Sequence, residues 1–193
     1  RGCYWGKCTF CTHSFIYDSH YRKENEVRVA EELDHLSKKY KTKYFTFSDE
    51  AISPNAFNRM SKEILKLGVD MRALGMLKFE SSEKESPELF DDIYRAGFLM
   101  LFFGLESAND RILSIIDKGC DQETERAVLK HSSEAGIWNH LYLFFGFPTE
   151  ERSEAEDTIQ FTIENSEVES GIIHSVGQSI FALEKDSAIY HNP

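Results

Sequence analysis

Leu99-Met100-Leu101-Phe102-Phe103-Gly104-Leu105-Glu106-Ser107 begins with five consecutive apolar residues and ends on a polar turn. A run this short, with no polar alternation, is the pattern of a strand buried on both faces. Such strands belong to parallel sheets covered by helices. Helical segments are expected next, near 109–118 and 121–135, the second stopped by Gly136. A second apolar run, Leu141-Tyr142-Leu143-Phe144-Phe145, follows and also ends on a turn, Gly146-Phe147-Pro148-Thr149-Glu150. Strand, helix and strand of the same buried type make a βαβ unit.

The same alternation extends in both directions. Upstream, Val29, Leu33, Leu36 and Tyr40 form one helical stripe before a strand at 44–47. Ser53-Pro54 supplies an N-cap and a first-turn proline for a helix carrying Phe57, Met60, Ile64 and Leu67, and 71–77 is the next strand. Ser86-Pro87 repeats that start, with a stop near Gly97. Downstream, Ser153 and Glu156 are expected to form a capping box for a helix whose apolar residues include Ile159 and Ile163, and 172–180 is the last strand. The fold class is therefore α/β with parallel strands, and the family resemblance described below implies a partial TIM-like (β/α)6 barrel. Five strands are visible, and a sixth is expected before Arg1, so that the chain reads as a fragment beginning mid-barrel. One domain spans 1–193, with no linker or low-complexity segment.

Composition narrows the function classes. With 193 residues, 41% of them hydrophobic, the chain can bury a sizeable core. No apolar run approaches the roughly 20 residues of a membrane helix, so no membrane partner is expected. No signal peptide is visible. The net charge of −11 offers no general attraction for nucleic acid. Clustered rather than dispersed cysteines fit a reducing cytoplasm better than a disulfide scaffold.

Three of the four cysteines lie in Arg1-Gly2-Cys3-Tyr4-Trp5-Gly6-Lys7-Cys8-Thr9-Phe10-Cys11, spaced C-x4-C-x2-C. That spacing brings three thiolates into one loop, as chains do to hold a metal or an iron–sulfur cluster. Two alternatives stay open on the residues alone. With Cys120 as a fourth ligand, the pattern is that of a plant-type ferredoxin, an electron-transfer module. With His13 as a fourth ligand, it is a structural zinc site. The polar residues at the strand ends add a second signal: Ser48-Asp49-Glu50, Lys78-Phe79-Glu80, Glu106-Ser107 and Gly146-Phe147-Pro148 all fall at carboxyl ends of strands, where parallel α/β folds build their sites.

Together these pieces resemble the core of the radical S-adenosylmethionine (SAM) enzymes. The matching motifs are Arg1-Gly2-Cys3, Cys8-Thr9-Phe10-Cys11, Asp49-Glu50-Ala51, Phe103-Gly104-Leu105-Glu106-Ser107, Lys118-Gly119 and Phe145-Gly146-Phe147-Pro148. They are most similar to the branch that often carries a cobalamin-binding domain, and the 187–193 tail resembles the stretch after that branch's last barrel strand. The family spacing is C-x3-C-x2-C, so one extra residue stands between Cys3 and Cys8.

The resemblance implies that Cys3, Cys8 and Cys11 hold three irons of a [4Fe–4S] cluster whose fourth iron binds SAM. Reductive cleavage of SAM would then give a 5′-deoxyadenosyl radical that abstracts hydrogen from a substrate the sequence does not identify. It implies an electron donor such as flavodoxin or ferredoxin. Cobalamin has no binding motif within these residues and would enter only through a domain absent here. Phe10 is expected beside the cluster or the adenine, Asp49 and Glu50 at the SAM amino group, Glu106 and Ser107 near the ribose, and Gly146 and Pro148 near the methionine or adenine moiety. Strand periodicity puts 72, 74, 76 and 78 on one face. That makes Arg72, and after it Lys78, the candidate cation for the SAM carboxylate, with Gln178 a further candidate for lining the cavity. Cys120 is expected at a helix entry, and Tyr4 and Trp5 over the loop.

Overall fold

The computed structural model of the chain describes residues 1–81, 84–166 and 168–192. After a cysteine loop come α1 (His13–Ile16), α2 (Glu26–Tyr40), β1 (Tyr44–Thr46), α3 (Pro54–Leu67) and β2 (Arg72–Leu77). Then follow α4 (Pro87–Arg95), β3 (Phe98–Glu106), α5 (Asp110–Ile115), α6 (Gln122–Glu134) and β4 (Trp138–Phe145). The chain finishes with α7 (Arg152–Glu164), β5 (Ser175–Ile180) and α8 (Ala188–His191). The five strands form one sheet in the order β1-β2-β3-β4-β5, every pair parallel. Sequential parallel neighbours joined by helices curl into a partial TIM-like barrel.

Side chains alternate across this sheet as a two-residue period requires. Ala73 and Leu77, Leu101, Phe103 and Leu105, then Leu141 and Leu143 point to the helix-covered face. There they pack on Phe57 and Ile64 of α3, Phe90 and Ile93 of α4, Val128 and Leu129 of α6 and Phe161 of α7. The opposite face is open and carries Leu74, Met76, Phe102, His140 and Tyr142. Phe102 and Tyr142 stack at 5.8 Å and 16°, with the His140 ring edge-on to both. Gln178 pairs in register with Leu143, so it lies on the helix side of the sheet rather than in the open face.

Two helix starts contrast. Ser53 caps α3 as expected, its hydroxyl accepting from Ala56 N at 3.4 Å. At α7 the capping box is formed by Glu151 and Glu154, two residues before the expected Ser153 and Glu156. Along this helix Thr158 and Phe161 are buried, while Ile159 and Ile163 face solvent, so the core face is not the one the isoleucines suggest. Arg111 of α5 sets this start with a fork onto both Glu154 oxygens and the Thr149 carbonyl. Among the described residues no helix is long and apolar enough to cross a membrane.

Candidate active site

The cysteine loop has almost no regular structure of its own, so its backbone groups find partners elsewhere. Thr9 N donates to Ile116 O at 2.9 Å and Ile189 N donates to Thr9 O at 2.9 Å. The loop is thus stitched between the end of α5 and α8. The Trp5 indole N–H donates to Asp117 O at 2.8 Å. Its ring lies so close over Gly119 that a Cβ there would overlap it. Lys7 and Lys78 place their ammonium groups 4.7 and 4.3 Å from the Trp5 ring centroid. Between Cys3 and Cys8 the chain turns at Gly6, whose carbonyl accepts from Ser14 Oγ at 2.5 Å. That turn accommodates the longer spacing.

Cys3, Cys8 and Cys11 all line one cavity of 280 Å³ at the carboxyl ends of β2 and β3. Phe10, Glu50, Lys78, Glu106 and Lys118 line it too. Phe10 stands edge-on to Phe144, 5.1 Å between centroids, within a small apolar cluster that includes Phe147. Glu50 accepts from Tyr17 Oη at 3.3 Å and pairs with His13 Nε2 at 2.7 Å. A His13 tautomer that donates from Nε2 leaves the buried Nδ1 without a partner. Glu106 ends β3 at an irregularity where the register against β4 slips between Gly104 and Glu106, and its φ is +64°. This left-handed residue turns its carboxylate to Lys118 Nζ, 3.0 Å away.

The electrostatics follow from burial. Burial pushes the free Cys8 thiol up to about 11, against the pull of Lys118 and Lys78, and pushes Cys11 up as well. A soft metal that displaces the thiol proton restores the thiolate. Burial lowers Lys78. For Lys118 burial works in the same direction, but the Glu106 carboxylate outweighs it and the ammonium is held charged. The cavity therefore presents three thiols, two carboxylates and two ammonium groups.

Other expected site residues stand elsewhere. Asp49 is exposed and lines a separate cleft with Tyr21 and Arg22. Ser107 is fully buried: its hydroxyl meets Thr158 Oγ1 at 3.2 Å and accepts from Asn109 N at 3.1 Å, so it braces the turn into α5. Gly146 lies on the turn after β4 with φ +82°, and Pro148 lines an apolar cavity of 350 Å³ with Thr9, Phe147 and Ile189. Arg72 needs a correction. It begins β2 at the amino end of the sheet and pairs with Asp70 at 3.2 Å. A strand rises about 3.3 Å per residue, so six residues put it roughly 20 Å from Lys78, the cation that does face the cavity. Lys78, Trp5, His13 and Lys118 are the site residues that sequence left weakly assigned. Lys78 was read as a second-choice cation, Trp5 as a cover for the loop, His13 as a ligand only in the zinc alternative, and Lys118-Gly119 as a motif without a role.

Cys120 lies just before the N-cap of α6, as expected, and lines a different cleft, its Sγ 3.7 Å from Glu125 Oε1. The donor set fits a multi-iron cluster. Among the described residues no three His, Cys, Asp or Glu side chains converge on one point as ligands of a single ion. The three cysteines nevertheless share one cavity, which suits thiolates that each take a different iron.

Comparison with known proteins agrees with this geometry. The radical SAM superfamily model matches residues 1–162. An uncharacterized methyltransferase of Pyrococcus horikoshii is 29% identical over 163 residues, covering 83% of this chain and 35% of that protein. The bacteriochlorophyllide d C-12(1)-methyltransferase of Chlorobaculum tepidum is 29% identical over 170 residues, 86% of this chain and 36% of that protein. The chain thus spans about a third of the length of these curated relatives. Among solved structures, the radical SAM methyltransferase TsrM from Kitasatospora setae, with cobalamin and a [4Fe–4S] cluster bound, superposes with a TM-score of 0.78 at 16% identity, covering 97% of this chain and 34% of that one. The cobalamin-dependent SAM radical enzyme OxsB, with aqua-cobalamin and SAM bound, gives 0.68 at 16% identity, covering 83% and 25%. A parallel half-barrel with three thiols at its carboxyl rim and a family match over most of its length make this chain a member of the radical SAM superfamily.

Proposed function

We propose that residues 1–193 are the SAM-binding core of a radical methyltransferase, with Cys3, Cys8 and Cys11 as ligands of a [4Fe–4S] cluster. The observation that carries this reading is the single cavity in which three thiols and no fourth cysteine meet both acidic and basic groups. A bound cluster with an open iron supplies one-electron cleavage of SAM; the rest is binding and orientation by the protein. SAM is a zwitterion with a sulfonium, and the cavity offers complementary charges. Glu50, steadied by His13 and Tyr17, is assigned to the amino group and Lys78 to the carboxylate. Glu106 is assigned to the ribose hydroxyls, to which a carboxylate accepts two hydrogen bonds. Phe10, with Gly146 and Pro148 on the turn beside its aromatic cluster, is assigned to the adenine side.

Methyl transfer is supported by the names of both curated relatives. Cobalamin, if used, binds outside these residues, and a flavodoxin or ferredoxin in a reducing cytoplasm supplies the electron.

The test is anaerobic reconstitution of the full-length protein, followed by EPR with and without SAM and by assay with SAM labelled at its methyl group. A [4Fe–4S] signal that changes on adding SAM and persists in Cys120→Ala is expected, with label passing to product. A [2Fe–2S] signal lost in Cys120→Ala would establish the ferredoxin alternative instead, and a colourless zinc-loaded protein would establish the structural one.

A further inference from the structure

We propose that the outer surface of the cysteine loop, formed by Lys7, Phe15, Ile16 and Arg22, is the docking surface for an acidic one-electron carrier protein that reduces the cluster. The proposal rests on the cluster-ligand reading above and deepens it by giving the electron a point of entry.

Charge is unevenly distributed along this chain. Residues 1–23 carry four lysines and arginines against the single carboxylate of Asp18, whereas residues 24–193 carry 18 against 32 carboxylates. The cysteines therefore sit in a segment of opposite sign to the rest of the protein. Folding leaves part of that charge uncompensated. Lys23 pairs with Glu26 at 2.5 Å, Arg28 with Glu24 at 3.6 Å, and Asp18 stands 3.6 Å from His20. Lys7 and Arg22 are exposed, and among the described residues neither has a carboxylate within ion-pair distance. The other basic run, Lys38, Lys39, Lys41 and Lys43, stands before the amino end of β1, away from the carboxyl rim.

The same surface carries apolar side chains that the core does not use. α1 contributes no buried residue, and its Phe15 and Ile16 are 63% and 61% exposed. Their position is nonetheless fixed. Ser14 Oγ donates to the Gly6 carbonyl, Ser19 N donates to Ser14 O at 2.6 Å, and Arg22 N donates to Arg1 O at 3.0 Å. The His20 carbonyl lies where a Cβ on Gly2 would fall. Residues 14–22 thus wrap the outside of the cysteine loop, turning through Asp18 and Ser19 in left-handed geometry. Apolar side chains beside unpaired cations suit a transient protein contact, in which charge steers the partner in and the apolar groups hold it. Gly6 and Lys7 are exposed and lie between Cys3 and Cys8, so a carrier seated here meets the backbone of the ligand loop itself. One electron then leaves the reduced carrier and enters the cluster; no covalent bond forms or breaks.

The experiment is anaerobic stopped-flow reduction of the cluster in the reconstituted full-length protein, with either reduced acidic ferredoxin or reduced methyl viologen as donor. Ferredoxin should reduce the wild type about 10-fold more slowly in about 0.5 M than in about 0.05 M NaCl, as steered association requires. Arg22→Glu combined with Phe15→Ser should slow the ferredoxin reaction by about 10-fold or more. The methyl viologen rate, the iron content and the SAM-dependent EPR change should stay at wild type. Lys43→Glu makes the same charge change at the far end of the sheet and should leave both rates unaltered. A ferredoxin rate indifferent to salt and to the paired substitutions overturns the proposal, as does equal slowing with both donors. Should the paired variant fail to load iron, the salt dependence of the wild type still decides. Strong hydrogen-exchange protection of 14–22 before ferredoxin is added would put another domain of the same protein on this surface. Binding to anionic vesicles that Arg22→Glu abolishes, at an unchanged ferredoxin rate, would put a membrane there. Either result overturns the proposal alone. A wild-type protein that assembles no [4Fe–4S] cluster overturns the underlying reading and this one with it.

Discussion

Gly104→Ala tests the site with the smallest change the structure allows. Gly104 does not have a positive φ, so alanine is compatible with its backbone and should by itself stabilise by about 0.4–1 kcal/mol through the unfolded chain. Against this stands the overlap of the new methyl with Glu106 Oε1 and its close approach to Lys118 Nζ. Both groups are largely buried flexible ends, so the pair can give way only by parting into the cavity it lines. Breaking a buried pair costs about 3–5 kcal/mol. The net expectation is a loss of about 2–4 kcal/mol, which for a domain of this size lowers the melting temperature by roughly 5–15 °C. SAM affinity should fall by about 10- to 100-fold in parallel. Calorimetry on the apoprotein and equilibrium dialysis of SAM on the reconstituted protein measure the two effects. A double-mutant cycle sharpens the result: Gly104→Ala in a Lys118→Met background has no ion pair left to break, so its added cost should nearly vanish. Additive losses in the double mutant, or a Gly104→Ala protein with unchanged melting and SAM affinity, would refute the idea that the glycine exists to seat the pair.

Three further expectations follow from separate parts of the molecule. Glu85 is fully buried, and burial pushes its carboxyl from 4.5 up to about 8, with Oε1 unpartnered. The unfolded carboxyl ionises above pH 4.5 while the folded one stays neutral, so the wild type loses about 1.4 kcal/mol per pH unit towards pH 8. Glu85→Gln should match it near pH 4.5 and exceed it by several kcal/mol at pH 8 in urea unfolding; a pH-independent difference would count against this. Phe98 is fully buried, edge-on to Phe57 at 4.8 Å and near Phe47 at 5.0 Å. Phe98→Ala should cost about 3–5 kcal/mol by the same measurement. Gly119→Ala should displace the Trp5 ring and break its hydrogen bond to Asp117 O, which a shifted tryptophan emission and a cluster lost on dilution would report. An unaltered spectrum would mean the loop is seated some other way.

The strands and helices were legible because their patterns are local. The five-residue apolar run at 99–103 and its partner at 141–145 fall in β3 and β4, and Ser53-Pro54 starts α3 where the cap chemistry requires. What sequence could not read were choices settled across the fold. Periodicity put Arg72 and Lys78 on one face, but it gave no weight to their distance along the strand: Arg72 begins β2 at the amino end, and Lys78 follows its last residue at the carboxyl end, beside the cavity. At α7 the sequence suggested a Ser153–Glu156 start, but Arg111, forty-three residues before Glu154, holds the Glu151–Glu154 box two residues earlier. Asp49 and Glu50 are adjacent, yet the chain leaves β1 so that only Glu50 meets His13 and the cavity. Lys118 was visible as a motif, but its partner Glu106 becomes visible only once the register slip at the end of β3 is known.

The same non-local contacts explain how a loop of eleven residues can hold its shape before any iron arrives. Buried thiols resist ionisation, as the upward shift of Cys8 shows, so the free loop gains little from its own cysteines. Its order comes instead from Trp5 on the Asp117–Gly119 turn, from Thr9 bonded to Ile116, and from Ile189 bonded back to Thr9. Those bonds put the loop in contact with α5 and α8, elements folded for other reasons. Two lysines beside the thiols then offset the charge that cluster loading introduces. Pre-ordering of this kind lowers the entropy lost when the ligands close on the metal. It also means that the order of the loop rests on contacts outside the cysteines, above all the turn that seats Trp5.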